Sequence, residues 1–129
     1  MTRFTLAAAL FASVAAATVA SAATTVPFDQ AQFAAAQAAG KPTLVEVHAW
    51  WCPICASQSG TLKALSSRPD TADLTIFRIN YDKQKEALKQ FGVQRQGTII
   101  GFKGKEQTGR IDFKTDKAVI TALVDATVK

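Results

Sequence analysis

Apolar and polar positions change rhythm several times along this chain, and each change marks an element. After Phe28, apolar residues fall on one face of a helix that runs through Ala39. Asp29 suits its N-cap, Gln32 completes a capping box, and Phe28 can staple to Phe33. Gly40 ends that helix and Pro42 blocks its resumption. Thr43-Leu44-Val45-Glu46-Val47-His48-Ala49 is apolar enough to be a central strand. A second helix begins near Cys52, with Pro53 in its first turn where a missing N–H costs nothing. It runs to about Ser66, and Gly60 inside it lowers helix stability by about 1 kcal/mol relative to Ala, so a kink is expected there. Leu74–Tyr81 reads as another strand, and Asp82 as the cap of a third helix ending at Phe91-Gly92. Thr98–Lys103 and Glu106–Asp112 form an expected antiparallel hairpin around Gly104-Lys105. Thr115 is the expected cap of a last helix whose apolar face is Val119, Ile120, Leu123 and Val124. No linker, repeat or low-complexity segment interrupts this series.

The first residues follow a different pattern. Met1–Thr5 is a short basic start, Leu6–Val19 is apolar, Ala-rich and uncharged, and Ala20-Ser21-Ala22 is an A-x-A cleavage signal. Together they predict a secretory signal peptide over residues 1–22, a domain over 23–129, and a periplasmic location. The apolar run is short for a membrane anchor, which needs about 20 residues. Net charge is +5, of which Arg3 leaves with the leader. The remaining charge is scattered, with Lys83, Lys85, Lys89 and the Lys103/Lys105 pair as its only clusters. It reads as a solvated surface, not a nucleic-acid footprint, and leaves a mild bias toward acidic partners or anionic membrane surfaces. Nothing suggests dimer formation, so a monomer is expected, and no cofactor is called for.

The chemistry is concentrated in Trp51-Cys52-Pro53-Ile54-Cys55, which holds both cysteines of the chain. A strand leading into Cys-x-x-Cys, with a helix starting at the first cysteine, is the arrangement that thiol–disulfide exchange requires. Unpaired N–H groups and the macrodipole at the helix N-terminus stabilise a thiolate at Cys52. Such settings lower a cysteine from about 8.5 to roughly 3.5–7.5. Cys55, one turn further in, can close a disulfide with Cys52, so Cys52 is the expected attacking thiol and Cys55 the resolving one. Glu46 is a carboxylate in a run of Leu and Val, costly to bury unpaired. It suits an acid–base partner for Cys55, or else an ion pair with Arg78 on the neighbouring strand. His48, the only histidine, shares a strand face with Glu46. It reads first as a core histidine bonded to Glu46 or to a carbonyl, and second as a group that tunes the cysteine pair or supplies a metal ligand.

Element order, size and the Trp-Cys-x-x-Cys junction resemble the thioredoxin family over essentially all of residues 24–129. The resemblance implies an α/β thioredoxin fold, a central mixed β-sheet flanked by α-helices, with the active site at the end of the strand before Cys52. It implies that Trp51 packs beside the disulfide, and that Gly60 occupies the kink position where relatives often carry proline. Glu46 falls where the family has a buried acid beneath the second cysteine, and Arg78 where many relatives have lysine. Trp51, Pro53, Gly97 and Thr98 are the implied substrate-binding residues. Gly97 is the main departure, because it stands where relatives place a cis-proline facing the cysteines. A cis bond before glycine costs about 2.5–4 kcal/mol, so Gln96–Gly97 is expected to be trans. Glycine also predicts a more mobile loop and a more open face above the cysteines.

The function expected on these grounds is that of an exported thiol–disulfide oxidoreductase, using Cys52 and Cys55 to reduce disulfides of exported proteins. A membrane electron donor would supply it. The alternative is a periplasmic copper-handling protein in which Cys52, Cys55 and His48 hold Cu(I), for which thiolates are suited.

Overall fold

A computed structural model describes residues 13–17 and 21–129. The expected leader lies largely outside these residues, and 13–17 are neither helix nor strand. The elements are β1 (Thr24–Pro27), α1 (Gln30–Ala38), β2 (Pro42–His48), α2 (Pro53–Leu65), a short 3-10 turn (Pro69–Thr71), β3 (Thr75–Asn80), α3 (Lys85–Gln90), β4 (Thr98–Lys103), β5 (Glu106–Asp112) and α4 (Lys117–Val128). The strands form one mixed sheet in the order β1-β3-β2-β4-β5. β1 and β2 run parallel to β3, while β4 is antiparallel to both β2 and β5.

β2 is central because its residues can be buried on both faces. Thr43 to Val47 are all buried. Val45 and Val47 pack with Phe77, Ile79 and Ile100 beneath α1 and α3. Leu44 packs on the opposite face with Ile76, Ile99, Leu62 of α2, and Ile120, Leu123 and Val124 of α4. Alternation therefore sends Glu46 toward α2, which starts at the cysteines. The first face is held by aromatic rings. Phe33 meets Phe77, Phe91 and Phe102 edge-on at 5.5, 5.4 and 5.6 Å between centroids, and Phe28 lies 5.6 Å from Phe33 as the expected staple.

The boundaries differ from the sequence reading in three places. β1 has no local signal, since its partner β3 lies some fifty residues away and its burial is slight. Asp82 does not cap α3. Asn80 Oδ1 accepts the N–H groups of Asp82 and Lys83 in a turn, so the helix begins only after Gln84. α4 is capped by Asp116, whose Oδ1 accepts from Ala118 and Val119 N–H, one residue beyond the expected Thr115. α2 spans Pro53 to Leu65 with Gly60 inside it, close to the expected limits. Asp29 caps α1 as expected through Gln32 N–H at 2.9 Å.

Helix α4 sits on two glycines of the hairpin, Gly101 and Gly109, which pair across β4 and β5. A Cβ at Gly101 would collide with the hydroxyls of Thr108 and Thr127 and lie 3.1 Å from Leu123 Cδ1. Gly101→Ala should therefore destabilise the domain by about 1–3 kcal/mol, the usual cost of overpacking. Urea denaturation measures this, and an unchanged midpoint would mean that α4 moves aside freely.

Candidate functional site

Cys52 and Cys55 form a disulfide with Cα atoms 5.2 Å apart. Cys52 has extended φ/ψ and is the N-cap of α2, with Pro53 in the first turn. Its Sγ accepts the N–H of Cys55 at 3.1 Å. The atom that would carry the negative charge after reduction already takes one of the unpaired N–H groups of the helix start. Cys55 is fully buried, its Sγ 3.8 Å from the carbonyl oxygen of Val47, while Cys52 keeps a 3% exposure. The small exposed remainder thus lies on the residue expected to attack.

Ala49, Ile54 and Tyr81 pack around the two sulfurs. Trp51 is half-exposed and is fastened from behind. Its Nε1 donates to Asp82 Oδ2 at 3.0 Å, and its ring stands edge-on to Tyr81 at 6.2 Å. Asp82, read from sequence as a helix cap, is instead the residue that orients this indole.

Beneath α2, Glu46 is buried and engaged on both oxygens. Arg78 Nε donates to Oε2 at 3.0 Å, and the Ser59 hydroxyl donates to Oε1 at 2.5 Å. Arg78 Nη2 also reaches Oε1 at 3.4 Å and the Ser59 oxygen at 3.3 Å. The ion pair with Arg78 is therefore present, and Ser59 is a partner the sequence reading did not name. His48 is not a core histidine bonded to Glu46 or a carbonyl. It is half-buried in a cleft with Thr25, Trp50, Arg78 and Asn80, and its ring makes no hydrogen bond among the described residues. Burial, and secondarily the Arg78 charge, hold its pKa below the ordinary 6.5, with Glu46 opposing. That cleft includes neither cysteine. Among the described residues no three His, Cys, Asp or Glu side chains gather as a metal-ligand set.

The Gly97 loop differs from expectation. The Gln96–Gly97 bond is trans as expected, and Gly97 has φ +78°, a region suited to glycine. The loop is not open, because Gly97 is buried. A Cβ there would lie 3.1 Å from Phe113 Cδ2 and 3.3 Å from Ile54 Cγ2. Nor is it loosely held. Gly97 N–H donates to Val47 O at 2.9 Å, the same carbonyl that faces Cys55 Sγ. Gly97 O accepts from Phe113 N–H at 2.8 Å and from Gln58 Nε2 at 2.8 Å. Thr98 is buried as well, its hydroxyl bonded to Asp112 Oδ1 at 2.8 Å, so it fastens the loop. Gln58 went unnoticed in the sequence, although a glutamine three residues after Cys55 on the inner helix face was a signal.

Two outcomes follow from this geometry. Gly97→Pro should destabilise the fold by more than Gly97→Ala, which itself costs at least the roughly 1–2 kcal/mol of a left-handed residue. Proline cannot adopt φ +78° and loses the Val47 bond. Chemical denaturation of both variants checks the order, and a proline variant as stable as wild type would refute the trans loop. His48 gives a pH effect. Its folded pKa lies below the unfolded one, so the unfolded chain takes up the proton first. Stability should fall as pH drops below about 6.5 and level off below the folded pKa. Denaturation midpoints at several pH values should show a smaller acid loss in His48→Phe than in wild type. An identical pH dependence in the two proteins would show that His48 is not the group concerned.

The thioredoxin family model matches residues 24–126. A thioredoxin of Alicyclobacillus acidocaldarius is 31% identical over 80 residues, covering 62% of this chain and 75% of its own. Protein disulfide-isomerase erp38 of Neurospora crassa is 34% identical over 77 residues, 58% of this chain and 21% of that protein. The crystal structure of Trxlp from Edwardsiella tarda superposes with a TM-score of 0.73 at 37% identity, over 83% of this chain and 100% of that one. Thioredoxin of Malassezia sympodialis, at 16% identity and a TM-score of 0.71, shares the fold. With its cysteine pair at the first turn of α2 and its five-stranded mixed sheet, this chain belongs to the thioredoxin family and is a thiol–disulfide oxidoreductase.

Proposed function

We propose that this protein is exported to the periplasm and reduces disulfides of exported client proteins, receiving its electrons from a membrane donor and working as a monomer. The observation that carries the attacking role of Cys52 is the Cys55 N–H held on Cys52 Sγ at the start of α2. In the reduced protein the Cys52 thiolate attacks one sulfur of a client disulfide, and the other client sulfur leaves as a thiolate. Cys55 then attacks Cys52 in the mixed disulfide, which closes Cys52–Cys55 and releases the second client thiolate. Two electrons pass from protein to client, and the disulfide form is the product awaiting reduction. Glu46 sits under α2 and can take the proton that Cys55 must lose, with Arg78 and Ser59 holding the carboxylate in place. Export is supported by the charged start, apolar run and A-x-A site of residues 1–22. The reducing direction is supported by Ile54, which adds no charge to stabilise the Cys52 thiolate further. The copper-handling alternative has two sulfurs but gains no third ligand from His48 in this arrangement.

Equilibration with glutathione buffers tests the direction. A reductant should have a potential near that of thioredoxin, about −270 mV, and a value near −120 mV would make the protein an oxidant. Cys55→Ser should accumulate mixed disulfides with clients, and Cys52→Ser should form none. If Glu46 moves the Cys55 proton, Glu46→Gln should slow the resolving step roughly tenfold or more and alter its pH profile. Unchanged rates with lowered stability would leave Glu46 a purely structural partner of Arg78.

A further inference from the structure

The loop beside the disulfide carries a cation whose position is set with unusual care. Phe113, not a glycine, adopts φ +56°. Non-glycine residues persist in that region only when their surroundings hold them there, and such sites are often functional. Here the holding group is Gln58, completely buried in α2. Its Nε2 donates to Gly97 O at 2.8 Å and to Lys114 O at 2.9 Å, the second being the residue after Phe113. Phe113 N–H adds a bond to Gly97 O. These contacts set the Phe113 ring against the space that Gly97 leaves vacant, next to Ile54 between the two cysteines. The guanidinium carbon of Arg95 then lies 3.5 Å from the centre of that ring. Exposed Arg95 is thereby stacked on an aromatic ring that packs against Gly97, the residue whose other close neighbour is Ile54 of the active-site turn.

The carboxylates near this wall are otherwise engaged. Asp112 accepts from Arg110 and from Thr98, and Asp82 accepts from Trp51. Arg95 forms no ion pair among the described residues. Lys85 Nζ lies 4.3 Å over the ring of Tyr81, which packs against the cysteine cluster, so a second cation lies near the site. We propose that Arg95, stacked on Phe113 and positioned by Gln58, is a specificity-determining residue that favours client segments carrying an acidic side chain beside the reacting cysteine. The inference rests on the exchange reading above and names the chemistry of the clients. An acidic flank would gain a charge-assisted contact with Arg95 as the mixed disulfide forms, while a basic flank would be repelled.

The test uses the reduced full-length domain and disulfide-bonded peptides that differ only in bearing Glu, Gln or Lys on both sides of the reacting cysteine. Reduction rates are measured in dilute buffer and in about 0.5 M salt, where surface charge is screened. Neutral hydroxyethyl disulfide is run alongside. Wild type should reduce the Glu peptide roughly tenfold faster than the Lys peptide in dilute buffer, with the ratio collapsing in salt. Arg95→Gln should lose most of that ratio, Arg95→Lys should retain part of it, and all three should reduce the neutral disulfide alike. Lys105→Gln, in the turn at the other end of β4, should keep the full ratio. Gln58→Met should diminish the ratio while leaving Arg95 in place, since the wall would no longer be held. A ratio near one in wild type, or an equal ratio in wild type and Arg95→Gln, would overturn the proposal. So would an equal loss in Lys105→Gln, which would assign the preference to overall charge. Failure to reduce the neutral disulfide in every protein would instead contradict the exchange reading.

Discussion

Four backbone N–H groups at the start of α2 have no helical partner, and the Sγ of Cys52 takes one of them, that of Cys55. Much of the fold serves to bring that sulfur to that place. β2 delivers the chain to the helix start, and it can do so from the centre of the sheet because Thr43 to Val47 tolerate burial on both faces. Pro53 fits the first turn without an unmet donor. Removing the helix start would leave a pair of ordinary thiols with no reason for one to ionise before the other.

The second constraint is the carbonyl of Val47, the residue five before Cys52. It faces Cys55 Sγ and also accepts the N–H of Gly97. The resolving cysteine and the Gly97 loop are thus tied to the same peptide group. Gly97 then needs other supports, and the chain provides them through Gln58, Phe113 and Thr98. Glycine at this position brings no ring of its own, and the ring that fills the space comes from Phe113 sixteen residues later. The expectation of an open face failed for that reason. It considered the side chain that glycine lacks and not the neighbour that occupies its volume.

The parts legible in the sequence were those with local causes. The strand into Cys52, the capping of α1 by Asp29 and the β4–β5 hairpin each announce themselves within a dozen residues. The Glu46–Arg78 pair was also within reach, because strand alternation and a parallel neighbour bring the two side chains together. What escaped depends on partners far apart in the chain. β1 exists only because β3 accepts it as an edge, and Trp51 is steered by Asp82 thirty-one residues on. His48 read as a core residue because its strand is apolar. It lies at the strand's last position, where the sheet runs out beside Trp50 and the cover ends. Gln58 left a trace, a polar residue on the buried face of a helix, but nothing local shows which carbonyls it holds.

The claim on which the rest depends is that the start of α2 makes Cys52 a stabilised thiolate. Ultraviolet thiolate absorbance of the reduced Cys55→Ser variant, followed against pH, measures it without interference from the second sulfur. The account predicts a midpoint within the roughly 3.5–7.5 range of cysteines at helix N-termini. A midpoint at about 8.5, that of a free cysteine, would contradict it and remove the physical basis for assigning attack to Cys52.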